Sequence, residues 1–264
     1  MPHLHRYIGR IFSTSRTNMD KKLNARAAIP VAGESLSGVE LFAELDLAER
    51  QAVAERCTGR QFAAGELVLN HRDTSREVFF VLSGTVEVGL FSLSGKRVSF
   101  QDKGAGQAVG ELAAVDGAPR CAHVLAHTDC RTASMTHKDF LDVVHTYPRV
   151  SAKLMQALVR QIRELSARVF EFNALCVNNR IQVELLRCAT SAAADGNQRL
   201  ITPVPTHTEI ASRVSTHREA VTREMSRLAK QGLLERAKDA LIVKDFSQLQ
   251  ALVEQSLGKP LAVH

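Results

Sequence analysis

Apolar residues change their period along this chain, and the changes mark out its regions. From Val39 to about Cys57, the residues Leu41, Phe42, Leu45, Leu47, Val53 and Ala54 recur at helical spacing, which predicts a helical segment. Beyond it Phe62, Val68, Phe79, Val81, Val86, Val88, Leu90, Val98 and Phe100 fall on short alternating stretches, punctuated by Gly65, Gly84, Gly95, Gly104 and Gly106. Many short strands with glycine turns predict a small antiparallel roll or barrel. Lys138 to Tyr147 reads as a short helix stopped by Pro148. A long helix is predicted from Arg149 to about Val177. Its apolar positions Met155, Leu158, Ile162, Leu165, Val169, Phe172 and Cys176 stand alternately three and four residues apart. That is the 3.5-residue period of a coiled-coil seam, narrower than the face of a helix packed on its own domain, and it predicts a dimer. Arg160, Arg163, Glu164 and Arg168 occupy the other faces.

The last third of the chain is helical again. Asn178 to Ala193 reads as a helix and Ala194 to Asn197 as a loop around Gly196. Thr206 with Glu209 three residues on has the spacing of a capping box, and Ile210, Ala211 and Val214 give the capped helix an apolar side. After a break at Ser215–Thr216, a second helix runs from His217 to Gln231 with Val221, Met225 and Leu228 inward and Gly232 closing it. Two short helices joined by a tight turn, the second basic at its start, are a helix-turn-helix. Leu233 to Ala237 and Ala240 to Lys244, joined by a Lys238–Asp239 turn, read as a two-stranded wing, and 259–264 as a loose tail.

Composition narrows the function classes. A chain of 264 residues, 45% hydrophobic, is long enough for two domains. The net charge of +6 and pI near 9.2 favour polyanionic partners only weakly. Five cysteines, with no C-x-x-C pair, suit reduced thiols rather than a secreted disulfide framework, and lack the N-terminal cluster of an iron–sulfur sensor. No apolar run approaches the length of a membrane span and no signal-peptide core stands near the start, so the expected compartment is the cytoplasm. Residues 1–30 are basic and hold one acidic residue, Asp20, a composition that superficially suits a transit peptide but is read more simply as a disordered tail or an upstream extension before Met19. The expected divisions are a disordered basic extension at 1–35, a β-roll domain at 36–148, a dimerisation helix at 149–177 and a DNA-binding domain at 178–258. The stretch after Asn178 holds no nucleophile–base arrangement, P-loop or metal box, so a nucleotide-gated enzyme is disfavoured and no catalytic residue is expected.

Two motifs carry a resemblance. Gly110-Glu111-Leu112, followed by Asp116-Gly117-Ala118-Pro119-Arg120-Cys121-Ala122, resembles the phosphate-binding cassette of cyclic-nucleotide-binding domains. Glycine and exposed amides at a helix start favour an anion, Arg120 can pair with a cyclic phosphate, and Glu111 can accept from a ribose 2′-hydroxyl. The run from Thr206 to Arg223 resembles the helix-turn-helix of the cyclic-AMP receptor (CRP/FNR) family of bacterial transcription regulators. Together the likeness covers about residues 40–245. It implies an α+β protein: an N-terminal, cupin-like antiparallel β-roll that binds a cyclic nucleotide, a long dimerisation helix, and a C-terminal winged helix-turn-helix. It also implies a homodimer on a two-fold symmetric double-stranded DNA site, with cyclic AMP or cyclic GMP as allosteric ligand, no covalent cofactor, and RNA polymerase as a further partner. By the same resemblance the ligand contacts are Gly110, Glu111, Leu112, Arg120, Cys121, Leu165 and Ser166, and the DNA contacts are Thr206, His217, Arg218, Glu219 and Arg223. The chemistry agrees: arginine can fork onto O6 and N7 of guanine, and glutamate can accept from N4 of cytosine.

Several residues depart from the family pattern. Cys121 stands where serine or threonine donates to the phosphate, and a thiol donates more weakly. Leu165 and Ser166 replace a commonly polar pair beside the purine, which puts base identity in doubt. Arg72 and Ser215 stand at turn positions that usually hold glycine, and Arg213, where an apolar residue is common, could reach a phosphate. The run Cys121, His123, His127, Cys130 has metal-like spacing, but an alternating strand with outward histidines accounts for it, and no metal is expected. Arg120 beside Cys121 leaves open a redox-responsive regulator of the same fold, or one that senses another ligand.

Overall fold

The computed structural model describes residues 29–91 and 97–258. The expected extension over 1–28, the turn at Gly95 and the tail at 259–264 lie outside these residues. The chain divides into two compact units, with the boundary between Leu158 and Val159.

In the first unit, two four-stranded antiparallel sheets form the roll. One has the order β1–β8–β3–β6, built from β1 (Thr58–Phe62), β3 (Val78–Ser83), β6 (Ala108–Val109) and β8 (Cys130–Met135). The other has the order β2–β7–β4–β5, from β2 (Leu67–Leu69), β4 (Val86–Phe91), β5 (Arg97–Lys103) and β7 (His123–Ala126). Strand β3 lies between two layers and is apolar on both faces. Phe79 and Val81 pack into the space between the sheets with Phe62, Val68, Val86 and Val124. Val78 and Phe80 point the other way, among Leu36, Phe42, Met135, Phe140 and Leu154. Phe80 meets Phe42 edge-on, ring centroids 4.9 Å apart. A period of two therefore serves two cores from one strand.

The helices of this unit are α1 (Leu47–Ala54), α2 (Glu111–Asp116), α3 (His137–Thr146) and the start of the 27-residue α4 (Pro148–Ala174), which crosses the boundary after Leu158. The helical segment expected over 39–57 is two pieces. A 3-10 turn at Glu40–Phe42 ends, and Asp46 starts α1 afresh through a reciprocal capping box with Glu49. Residues 29–35, read above as the end of a loose extension, are placed: Ile29 bridges Gly59 and a 3-10 turn spans Gly33–Leu36. Pro148 opens α4 rather than only closing α3, since its missing N–H costs nothing at a helix's first position.

The second unit holds α5 (Val177–Thr190), β9 (Ala193–Asp195), β10 (Gln198–Ile201), α6 (His207–Arg213), α7 (Arg218–Lys230), β11 (Leu234–Arg236), β12 (Leu241–Val243) and α8 (Phe246–Leu257). Its core gathers Ile181, Leu185, Ile210, Val221, Leu228, Val243, Leu249 and Val253. The expected loop at 194–197 is the turn of a hairpin, with Gly196 at φ +54°, and this hairpin extends the wing into one sheet ordered β11–β12–β10–β9. Helix α8 was not foreseen. Its signals were present in Asp245, whose side chain accepts from the Gln248 N–H, and in the i, i+4 pair Leu249 and Val253.

Phe80, fully buried between Phe42 and Phe140, is the test of the helical side of the roll. Phe80→Ala should cost about 3–5 kcal/mol, read as a lower denaturant midpoint for the first unit. The second unit's transition should not move. A loss below about 1 kcal/mol would contradict this packing.

Candidate functional site

The cassette begins where β6 ends. Gly110 takes φ +86°, and a Cβ there would lie 2.6 Å from Arg120 Nη1 and 2.9 Å from the Glu77 carbonyl, so no larger residue fits without displacing the arginine. Helix α2 follows and closes at Gly117, φ +72°. The returning loop is zipped to residues 72–73: Arg72 N–H donates to the Arg120 carbonyl and Arg120 N–H to the Asp73 carbonyl, both at 2.9 Å. Arg72 itself sits at φ +64°, the left-handed region in which the family turn uses glycine.

Arg120 is only 3% exposed. Its Nη1 donates to the Gly110 carbonyl (2.8 Å), Nη2 to the Glu77 carbonyl (2.7 Å) and Nε to Ser75 Oγ (3.3 Å). All three partners are neutral, and three of the five guanidinium N–H groups are used, leaving one on each terminal nitrogen. Burial lowers its pKa, against the pull of Asp73, Glu77 and Glu111. Glu111 is buried too, and burial pushes its carboxyl above the usual range, opposed by its own backbone N–H and by Lys103 and Arg120. Gly110, Glu111 and Arg120 thus converge, with Leu112 half-buried in the first turn of α2. A cationic group with spare donors beside a buried carboxyl is suited to a ligand that carries both an anion and a hydroxyl.

Cys121 is exposed, and desolvation raises its thiol's pKa, with Glu111 and Asp116 adding to the rise. Arg120 and a backbone hydrogen bond pull the other way, toward the thiolate, and are outweighed. His123 is half-buried rather than fully outward: its Nδ1 accepts from the His71 backbone N–H at 3.2 Å and its ring meets the His71 ring edge-on. Cys130 is buried between the sheets, its thiol on the Thr85 and Thr128 carbonyls. Among the described residues no group of three or more His, Cys, Asp or Glu side chains is arranged to hold a metal ion.

In the second unit, Thr206 caps α6 as the sequence indicates. Its hydroxyl accepts from the Glu209 N–H, and Glu209 Oε2 accepts from the Thr206 N–H at 2.6 Å. Ser215 takes φ +52° in the turn, and Thr216 N–H returns to the Ala211 carbonyl. His217 is the N-cap residue of α7, without a side-chain cap bond. Arg218, Glu219, Thr222 and Arg223 are exposed on α7, while Val221, Glu224 and Leu228 are buried.

Glu224, which is not among the expected contacts, is the buried carboxylate that fixes the inner face of α7. It is 2% exposed, receives Gln182 Nε2 from α5 at 2.7 Å, and is forked by Arg227 at 2.6 and 2.9 Å. Burial alone would raise its pKa, but these hydrogen bonds and the Arg227 charge hold it below the usual range. The signal was a carboxylate at helical spacing between two core residues, Val221 and Leu228. Arg213 is a correction. Instead of reaching outward toward a phosphate, it donates to the buried Glu184 at 3.3 Å, which also receives Arg187. Arg168 of α4 donates to the Arg213 carbonyl. Leu165 and Ser166 lie exposed on α4 in the second unit, as do Ile162 (63% exposed) and Val169 (60%) of the apolar seam.

Comparison with known proteins agrees with both halves. Residues 59–147 match the cyclic nucleotide-binding domain and residues 180–252 the Crp-like helix-turn-helix domain. A CRP-like cAMP-activated global transcriptional regulator of Mycobacterium tuberculosis is 22% identical over 217 residues, covering 82% of this chain and 97% of the relative. The cAMP-activated global transcriptional regulator CRP of Haemophilus influenzae is 27% identical over 192 residues, covering 71% of this chain and 84% of the relative. A CRP/FNR-family transcriptional regulator of known structure from Thermus thermophilus aligns with a TM-score of 0.62 at 23% identity, covering 74% of this chain and 98% of that one, a likeness of fold.

Glu111 gives a pH test. Its folded pKa is raised, so the carboxylate costs stability above the unfolded-state pKa, and the cost vanishes below it. Glu111→Gln should therefore stabilise the first unit at neutral pH, and its advantage should close as pH falls below about 4, the unperturbed range of glutamate. A denaturant midpoint for the variant at or below wild type at pH 7 would contradict it.

Proposed function

The chain belongs to the CRP/FNR family of transcription regulators, a cyclic nucleotide-binding domain followed by a Crp-like helix-turn-helix, and on that premise we propose a homodimer that cyclic AMP switches between DNA-binding states. It is a DNA-binding regulator, not an enzyme. The observation that carries the nucleotide reading is Arg120: a buried guanidinium on neutral partners, with an N–H to spare on each terminal nitrogen. A cyclic phosphate supplies the missing charge, and the ribose 2′-hydroxyl meets Glu111. Cyclic AMP is the first choice because curated relatives over most of the chain carry cAMP-activated names. Leu165 offers a purine only apolar contact and leaves Ser166 as the hydroxyl beside it, so discrimination against cyclic GMP is weaker than a polar pair would give.

Two observations support the dimer and the switch. Met155, Ile162, Val169 and Phe172 lie exposed along α4 at heptad spacing, an apolar stripe that a second copy would cover. The same helix carries the expected purine contacts, so a nucleotide that prefers one seam geometry shifts the equilibrium by its differential affinity. Paired seams set two α7 helices about 34 Å apart, one DNA turn, on a pseudo-palindromic site with TGTGA-like half-sites. The regulator would act in the cytoplasm on RNA polymerase.

Calorimetry with cyclic AMP and cyclic GMP tests the pocket. Both should bind, cyclic AMP more tightly, and Arg120→Ala should weaken binding roughly tenfold to a hundredfold, the worth of a charge-assisted contact. Heat from neither nucleotide would contradict the assignment.

Selection from random duplexes tests the reading helix. It should return a two-fold symmetric site, with Arg218→Ala costing about 1–3 kcal/mol per half-site at a guanine. An asymmetric site, or one indifferent to Arg218, would contradict it.

A further inference from the structure

His207 is the first residue of α6 and leans on the reading helix: its Nδ1 lies 2.8 Å from Thr222 Oγ1. The Thr222 hydroxyl in turn donates to the Arg218 carbonyl at 3.0 Å. A hydroxyl has one hydrogen. With that hydrogen on the carbonyl, the bond to His207 needs its hydrogen from the ring, so Nδ1 is the protonated nitrogen and Nε2 carries the lone pair. Thr222 stands one turn beyond Arg218 and next to Arg223, so His207 extends the exposed Arg218–Glu219–Arg223 face onto α6.

The charges around the ring oppose a second proton. Burial lowers its pKa first, then Arg236 from β11 and Arg218 from α7. Glu209, on the same helix, is engaged with Thr206 at the cap. Those charges favour the neutral ring in the free protein, which leaves Nε2 as an acceptor beside the exposed arginines of α7. A phosphate reverses this balance, because its charge offsets the two guanidinium groups and its oxygen accepts from a protonated ring. In a helix-turn-helix the first helix crosses the DNA backbone, which brings a phosphate to this end of α6.

We propose that His207 is a DNA-phosphate contact that gains a proton from solvent at Nε2 as the duplex binds, so that DNA affinity falls as pH rises. The new bond is Nε2–H to a phosphate oxygen, while the Nδ1–H bond to Thr222 is retained. This rests on reading α6 and α7 as the DNA-binding motif. It adds a contact sensitive to pH to a face whose arginines, Arg218 and Arg223, stay charged.

The test uses the full chain, a fluorescent duplex with two TGTGA half-sites, and fixed ionic strength from pH 5.5 to 8.5, with and without cyclic AMP. Wild-type affinity should fall by up to about tenfold per pH unit per half-site in the titrating range. His207→Gln keeps a side-chain donor for Thr222 without a titrating charge, and should bind as wild type does at high pH with that slope removed. His207→Arg should hold high affinity throughout. Calorimetry in two buffers of different ionisation heat should register proton uptake by wild type that His207→Gln lacks. Equal slopes and equal proton uptake in wild type and His207→Gln would overturn this proposal alone. No duplex binding at any pH, with or without nucleotide, would overturn the DNA reading as well.

Discussion

A guanidinium taken almost wholly out of water, with hydrogen bonds but no ion pair among the described residues, is the constraint around which the first unit is built. Burying a charge costs several kcal/mol unless an opposite charge answers it. Arg120 has the Gly110 and Glu77 carbonyls and Ser75 Oγ as partners. Its neighbours are set by it: Gly110 can carry no Cβ, and the loop at 72–73 is pinned to the backbone of Arg120 on both sides. Beside it Glu111 is buried and driven toward its neutral form. Neither group is at its electrostatic optimum alone, which is the expected state of a site organised for a ligand that completes it. On the function proposed above, a cyclic nucleotide would bring an anion to one and a hydroxyl to the other.

The second unit solves the same problem without a ligand. Its two buried acids on α5 and α7, Glu184 and Glu224, are answered in place by Arg187 with Arg213, and by Arg227 with Gln182. Both clusters tie helices together, Glu224 joining α7 to α5 and Glu184 joining the end of α6 to α5. The reading helix is thereby held with Val221, Glu224 and Leu228 inward, which leaves Arg218, Glu219 and Arg223 outward. Removing one partner of such a pair is costly because the other stays buried and charged. Specific reading of bases needs that fixed rotation, since each bidentate contact is directional.

Much of this was legible in the residues, for identifiable reasons. The strand positions Phe79 and Val81, the heptad positions from Met155 to Phe172, and the Thr206–Glu209 cap are local patterns set by backbone period. Cys176, read as the last position of the seam, lies instead beyond the end of α4 at Ala174, as the N-cap residue of α5. The cassette could be read because Gly110, Glu111 and Arg120 lie within one short run. What escaped was settled by partners distant in sequence. His123 meets His71, Arg213 meets Glu184, and Glu224 meets Gln182 through contacts that no spacing announces. The Cys121 thiol illustrates the same limit: Arg120 is its neighbour in sequence, yet desolvation and two nearby carboxylates raise its pKa. The hairpin around Gly196 escaped because both strands are very short, β9 is wholly exposed and β10 buries Ile201 alone, and only pairing with β12 makes them part of a sheet.

The most direct measurement of the central claim is the affinity of the full chain for a two-fold symmetric duplex, titrated with and without saturating cyclic AMP. At a concentration that just saturates the wild type, cyclic AMP should raise that affinity by roughly 5–150-fold, the usual range of an allosteric coupling, and most of the increase should be lost in Arg120→Ala at the same concentration while nucleotide-free binding persists. Equal affinity with and without the nucleotide, in a protein shown to bind it, would contradict the account.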